Sequence, residues 1–167
     1  MTTTFATAGA HTVRLQVIDA NGLSSTVAET LQVAARALTL MQPFPIVRIA
    51  GAETSGGARI KLLTVQAPTG AKVAVSCKGR GCKTKSETRL ATAASKSKGK
   101  SRAGAITLAF PRFQRTLGAG AMLQIRISKS GQIGKFTSFK IRRRKLPVRV
   151  DACLRPPSTA PSPCPSQ

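Results

Sequence analysis

Four cysteines carry most of the reactive chemistry open to this chain. They fall in two pairs, Cys77 and Cys82 in CKGRGC, and Cys153 and Cys164 in CLRPPSTAPSPC. Four cysteines permit three disulfide pairings, and proximity favours Cys77–Cys82 with Cys153–Cys164. In the chain-entropy picture, closing the first loop stabilises by about 2 kcal/mol and closing the second by about 3 kcal/mol. A four-cysteine zinc site is one rival, set back by a wide, proline-filled second pair and by a single distant histidine, His11. Redox or free thiols are another, because Lys78, Arg80, Lys83 and Lys85 around the first pair would lower the thiol pKa values. Disulfides imply an oxidising compartment and therefore export. The opening MTTTFATAGA has neither a basic start nor an apolar core, so an exported protein of this sequence is expected to have its signal sequence upstream of Met1.

Acid–base chemistry is poorly supplied. Five carboxylates are scattered along the chain with one histidine, and His11 stands in an inward strand pattern that favours packing over a Ser-His-Asp arrangement. GRGCKTKS, residues 79–86, lacks the glycine spacing of a phosphate loop. Asp19 and Asn21 offer two of the six to eight oxygens a calcium ion takes, and a turn accounts for them better. The expectation is a protein that is not an enzyme, with no cofactor and no metal.

Charge is the stronger signal. The chain carries 27 Lys and Arg against five Asp and Glu, a net charge of +22. Of these only Arg14, Arg36, Asp19 and Glu29 precede residue 46, so the first 45 residues balance to zero and the whole excess falls on the rest. The densest clusters are SKSKGKSR (95–102) and KIRRRK (140–145). Lys96, Lys98, Lys100 and Arg102, with Lys140, Arg142, Arg143, Arg144 and Lys145, are the candidate contacts to an anionic polymer, bound through counterion release. A solvated, flexible basic loop is the plainer reading of the first cluster. Nucleic acid is a weaker candidate partner, because sequence-tolerant single-strand binding adds exposed aromatics for stacking. Here Phe110, Phe113, Phe136 and Phe139 read mostly as core. No stretch is long and clean enough to span a membrane as a helix.

The elements that must hold these residues read as strands. His11, Val13, Leu15 and Val17 alternate with Thr12, Arg14 and Gln16, Asp19-Ala20-Asn21-Gly22 supplies a turn, and STVAETLQV returns. Beyond Ile46 the strand signals are IVRIA (46–50), ARIKLLTVQA (58–67), AKVAVSC (71–77), GAITLAF (104–110), AMLQIRIS (121–128) and FTSFKIRR (136–143), separated by Gly-rich turns. They predict an all-β chain with a small antiparallel β-sandwich of six or seven strands. Leu123, Ile125 and Ile127 are expected inside it, with Met122, Gln124, Arg126 and Ser128 outside. MQPFP, residues 41–45, reads as the linker, and the last residues, rich in Pro and Ser, as a tail.

Residues 4–33 also resemble the last two strands of a polycystic kidney disease (PKD) domain. Phe5, Gly9, Val13, Leu15, Val17, Asp19 and Gly22 occupy that family's pattern, with His11 where tyrosine is usual. The resemblance implies the closing hairpin of an immunoglobulin-like sandwich whose front lies upstream, with completion of a sheet in the second region as the alternative. The basic region looks similar to modules that follow PKD domains in secreted bacterial proteins. The expected organisation is a PKD-like remnant at 1–40, a linker at 41–45, a basic β-sandwich at 46–150 and a disulfide-anchored tail at 151–167. The expected role is adhesive or structural at a cell surface or outside the cell, with acidic surface polymers, polysaccharide or protein as partners. An intracellular nucleic-acid-binding protein is the alternative.

Overall fold

Alternating apolar and polar residues on either side of Asp19-Ala20-Asn21-Gly22 form two antiparallel ten-residue strands in the computed structural model, β1 (Gly9–Ile18) and β2 (Ser24–Val33). The structure describes residues 4–35, 37–92 and 104–165. In the turn, Asp19 Oδ1 accepts the backbone N–H groups of Asn21 and Leu23, each at 2.9 Å, and Gly22 takes a φ of 81°. This is an Asx turn closing on itself. His11 is held at the base of the hairpin: its ring stacks on Phe5 at 4.5 Å, and its Nε2–H donates to the Thr7 carbonyl at 2.8 Å. Across the ladder His11, Val13, Leu15 and Val17 stand opposite Leu31, Glu29, Val27 and Ser25. The half-burial expected of that face is not found, since its Val and Leu side chains remain 40% to 63% exposed. A two-stranded ribbon has no second layer against which to press them. The two strands form a sheet of their own and do not extend either sheet of the later region.

The chain divides into two compact units, Met1–Ala37 and Leu38–Gln167. The second unit is built from two mostly antiparallel sheets. One has seven strands: β3 (Thr39–Leu40), β6 (Lys72–Lys78), β7 (Ser86–Leu90), β10 (Met122–Lys129), β11 (Gln132–Arg142), β12 (Lys145–Leu154) and β13 (Pro161–Ser162). Their main path runs β13-β12-β11-β10-β6-β7, with β3 joining β11 in parallel. The other sheet has four strands: β4 (Ile46–Thr54), β5 (Gly57–Pro68), β8 (Ala105–Ala109) and β9 (Thr116–Gly118). The fold is therefore all-β and sandwich-like.

Period-two alternation decides what lies between the sheets. Val73, Val75 and Cys77 on β6, Leu123, Ile125 and Ile127 on β10, and Phe139 and Ile141 on β11 are buried in one cluster with Val47, Leu63, Val65 and Leu108 of the smaller sheet. Phe110 and Phe113, on either side of Pro111 in a short 3-10 turn, are 0% and 1% exposed and fill the same core. Burying one such ring contributes about 2–3 kcal/mol.

Three expectations need correction. The 41–45 linker is part of the second unit: Leu40 pairs with Ile133, and Met41 is 0% exposed, its N–H donating to the Ile133 carbonyl at 3.1 Å. The tail does not begin at 151, because β12 continues to Leu154 and β13 adds a further rung, Cys153 opposite Ser162. Among the described residues the strand count of this unit rises to eleven, because β3, β7, β9, β12 and β13 join those expected. β12 contains Pro147. This proline falls in the register shift between the Lys140–Val148 and Arg142–Lys145 pairs, a bulge position of the kind that accommodates proline.

Candidate functional site: a cationic end of the sandwich

Lys140, Arg142, Arg143, Arg144 and Lys145 occupy the β11–β12 hairpin and are all exposed. The turn is made by Arg143 and Arg144, and Arg144 takes a φ of 49°, a left-handed conformation that a side chain adopts at a cost. Arg142 Nε donates to the Leu146 carbonyl at 2.9 Å, fixing the first guanidinium along the hairpin. Lys96, Lys98, Lys100 and Arg102 lie outside the described residues.

Strand pairing brings further cations to the same end. Met122 pairs with Lys140 on one side and with Lys78 on the other. The two lysines therefore flank one methionine on one face, with their Cα atoms about 10 Å apart at ordinary strand spacing. The chain beyond Lys78 is clamped by the Cys77–Cys82 disulfide, whose Cα atoms are 5.5 Å apart. Inside that loop Gly79 and Gly81 take φ values of 111° and 91°, and a Cβ at Gly81 would meet the Thr116 carbonyl oxygen at 2.5 Å. Arg80 between them lays its aliphatic stem over Gly118, and its carbonyl accepts the Gly118 N–H at 2.8 Å. Its stem is thereby held against the scaffold. Sequence reading placed Lys78, Arg80, Lys83 and Lys85 beside the cysteines but did not join them to the 140–145 cluster. The signal that links them is the outward phase of Lys78 on β6.

Two of the carboxylates are spent elsewhere. Glu87 pairs with Arg89 at 2.6 Å. Asp151 accepts hydrogen bonds from Thr137 Oγ1 at 2.7 Å and Arg149 Nε at 2.6 Å, with Lys135 Nζ at 3.6 Å. Arg149 also stacks over Phe139 and donates to the Val47 carbonyl at 3.2 Å, tying the larger sheet to the edge of the smaller. Among the described residues no carboxylate pairs with the hairpin cations or with Lys78, Arg80, Lys83 or Lys85. The phenylalanines are likewise committed: Arg89 lies over Phe110, Arg126 over Phe136 and Lys135 over Phe44.

Burial works to raise the Asp151 pKa. Hydrogen bonds from Arg149 and Thr137 and the charges of Lys135 and Arg149 outweigh it, holding the carboxyl below the usual aspartate value. A depressed folded pKa gives stability that is present above the unfolded value, near 3.9, and is lost as pH falls through the folded one. Acid melts of the wild type and of Asp151→Asn should therefore converge below that range and diverge above it, with the wild type the more stable. Parallel curves across the range would refute this.

Both expected disulfides are formed, Cys77–Cys82 and Cys153–Cys164, and no free cysteine remains. The zinc and free-thiol alternatives need unbonded sulfurs and are set aside on that ground. Fold and site together define an all-β, disulfide-stapled module with a cationic end. Compared with known proteins, the chain matches no family model, no curated protein and no solved structure. The likeness of residues 4–33 to a PKD domain rests on those residues alone.

Proposed function

We infer that this protein is a non-catalytic binding module that works outside the cell or at its surface and holds acidic polymers on the cationic end of its second unit. The observation that carries the reading is the gathering of the β11–β12 hairpin, Lys78 and the disulfide-clamped Arg80 loop at one end, with none of these cations in a salt bridge among the described residues. Two disulfides favour an oxidising location. Among the described residues no helix is long and apolar enough to cross a membrane. The PKD-like hairpin, where it completes a sandwich with upstream sequence, adds an adhesive domain to the same role.

The test is retention on immobilised polygalacturonate across a salt gradient. Replacing Lys140, Arg142, Arg143, Arg144 and Lys145 together by Gln should weaken binding on the order of a hundredfold at low salt, at roughly 0.5 kcal/mol per exposed charge. The dependence on salt should flatten as well. Unchanged retention would remove the hairpin from the site. Tighter binding to duplex DNA than to the acidic polysaccharide, with a steep salt slope, would favour the nucleic-acid alternative instead.

A further inference from the structure

The outer face of the seven-stranded sheet carries a second cationic feature, away from the hairpin tip. Because Leu123, Ile125 and Ile127 of β10 point into the core, Met122, Gln124, Arg126 and Ser128 point out. Across the strands Arg126 stands between Ala74 and Phe136, with Ala152 beyond Phe136. Ala74 leaves open space on one side of the arginine, and the Phe136 ring supports it on the other. The chain after β12 turns back over this space. Its Pro156–Pro157 pair and Ser158 form a wall, fixed by the Cys153–Cys164 disulfide and by the pairing of β13 with β12. Between wall and sheet lies a cleft of about 440 Å³, within the size range of small-molecule sites, roughly 300–1,000 Å³.

Arg126 is preset in this cleft. Its guanidinium lies 5.1 Å from the centre of the Phe136 ring, and Nη1 donates to the Thr159 carbonyl at 2.5 Å. A guanidinium held flat by a ring and a carbonyl keeps its remaining N–H groups for a planar anion such as a carboxylate. Lys72 adds a second positive charge, and no Asp or Glu lines the cleft. On its floor, Gln132 has an Oε1 shielded from solvent and without a hydrogen-bond partner. A turn about its last torsion, which is soft for a terminal amide, offers that oxygen to a ligand hydroxyl. Ser128 and Ser158 add hydroxyls, and the prolines offer flat C–H faces.

We propose that this tail-walled cleft binds one acidic sugar unit of a polysaccharide. The sugar carboxylate lies on Arg126 and Lys72, its hydroxyls on Gln132 and the serines, and its ring face on Pro156–Pro157. The assignment rests on the acidic-polymer reading for its class of partner, but the site is separate from the hairpin. A sugar acid fits better than a bare inorganic anion because the cleft offers hydroxyl partners and an apolar wall as well as charge. The disulfide is part of the site, since it holds the wall in place.

The experiment is calorimetric titration of the full chain with a short galacturonate oligomer, its methyl ester and inorganic phosphate. The acid oligomer should bind, and the ester and phosphate should bind about tenfold more weakly or worse, as expected when a charged hydrogen bond or its shape partners are lost. Arg126→Gln and the exposed Lys72→Gln should each weaken the acid oligomer, together by about tenfold or more. Lys72→Gln touches no fold contact, so it reports on the site even if Arg126→Gln lowers the melting temperature. Gln132→Ala should weaken the acid oligomer too. The hairpin variant, with Arg142, Arg143, Arg144 and Lys145 replaced by Gln, should keep binding of the short oligomer. Equal binding of phosphate, or indifference to Lys72→Gln and Gln132→Ala, overturns the sugar site. Loss of the oligomer in the hairpin variant alone overturns the cleft and leaves the polymer reading intact. Absence of binding to both the oligomer and the polymer at low salt overturns both.

Discussion

Removing both disulfides lowers the melting temperature of the Leu38–Gln167 unit by about 15–20 °C. The two closed loops contribute about 5 kcal/mol together in the chain-entropy picture, and a domain of this size loses about 3–4 °C per kcal/mol. The Cys153–Cys164 bridge should account for the larger part, because its loop is longer and the chain within it makes few core contacts. Cys77 is 4% exposed and Cys153 0%, but Cys164 is exposed, so a reductant would act on the two bridges unequally. The measurement is therefore calorimetric melting of the two Cys→Ala double variants and their combination. A combined loss below about 5 °C would mean that the tail and the Arg80 loop are held by packing instead. The Cys153→Ala/Cys164→Ala variant should also lose the acid-oligomer binding assigned to the cleft, whereas Cys77→Ala/Cys82→Ala should affect retention on the polymer.

Phe110→Ala is the second large effect, at about 3–5 kcal/mol. The ring is fully buried, its backbone N–H donates to the Leu63 carbonyl at 3.0 Å, and Arg89 lies over its face at 5.4 Å. Truncation leaves a cavity in a core already closed by two sheets, and it removes the ring on which the Arg89–Glu87 pair rests. Leu15→Ala, by contrast, should cost less than about 0.5 kcal/mol, because Leu15 is 59% exposed on the β1–β2 hairpin. Denaturant melts followed by far-ultraviolet circular dichroism compare the two directly. Equal losses would mean that the exposed face of the hairpin is covered in solution.

Much of this protein is written in local pattern. Alternation along β10 placed Leu123, Ile125 and Ile127 inside and Arg126 outside, because side chains on a strand point to opposite faces whatever the strand packs against. Sequence proximity paired the cysteines correctly, because short loops close at the lowest entropic cost. Gly56-Gly57, Gly118-Ala119-Gly120 and Gly131 marked real turns. The charge asymmetry likewise separated a neutral first segment from a cationic one, since formal charge needs no fold to be counted.

What tertiary structure decided is which distant residues meet. MQPFP looks like a linker because prolines break regular structure, yet Met41 is buried where Leu40 meets Ile133, a contact some ninety residues away that no window reveals. β12 lies beyond the last strand signal read from the sequence, and its Pro147 is accommodated in a register shift that exists only with β11 alongside. Lys78, Arg80 and the 140–145 cluster come together only through their shared neighbours on β9 and β10, and Arg126 acquires its cleft only when the disulfide folds the proline-rich chain back over the sheet. Composition and alternation are properties of neighbours in sequence. A binding site is a property of strand order, and strand order is chosen by the burial of the whole core at once.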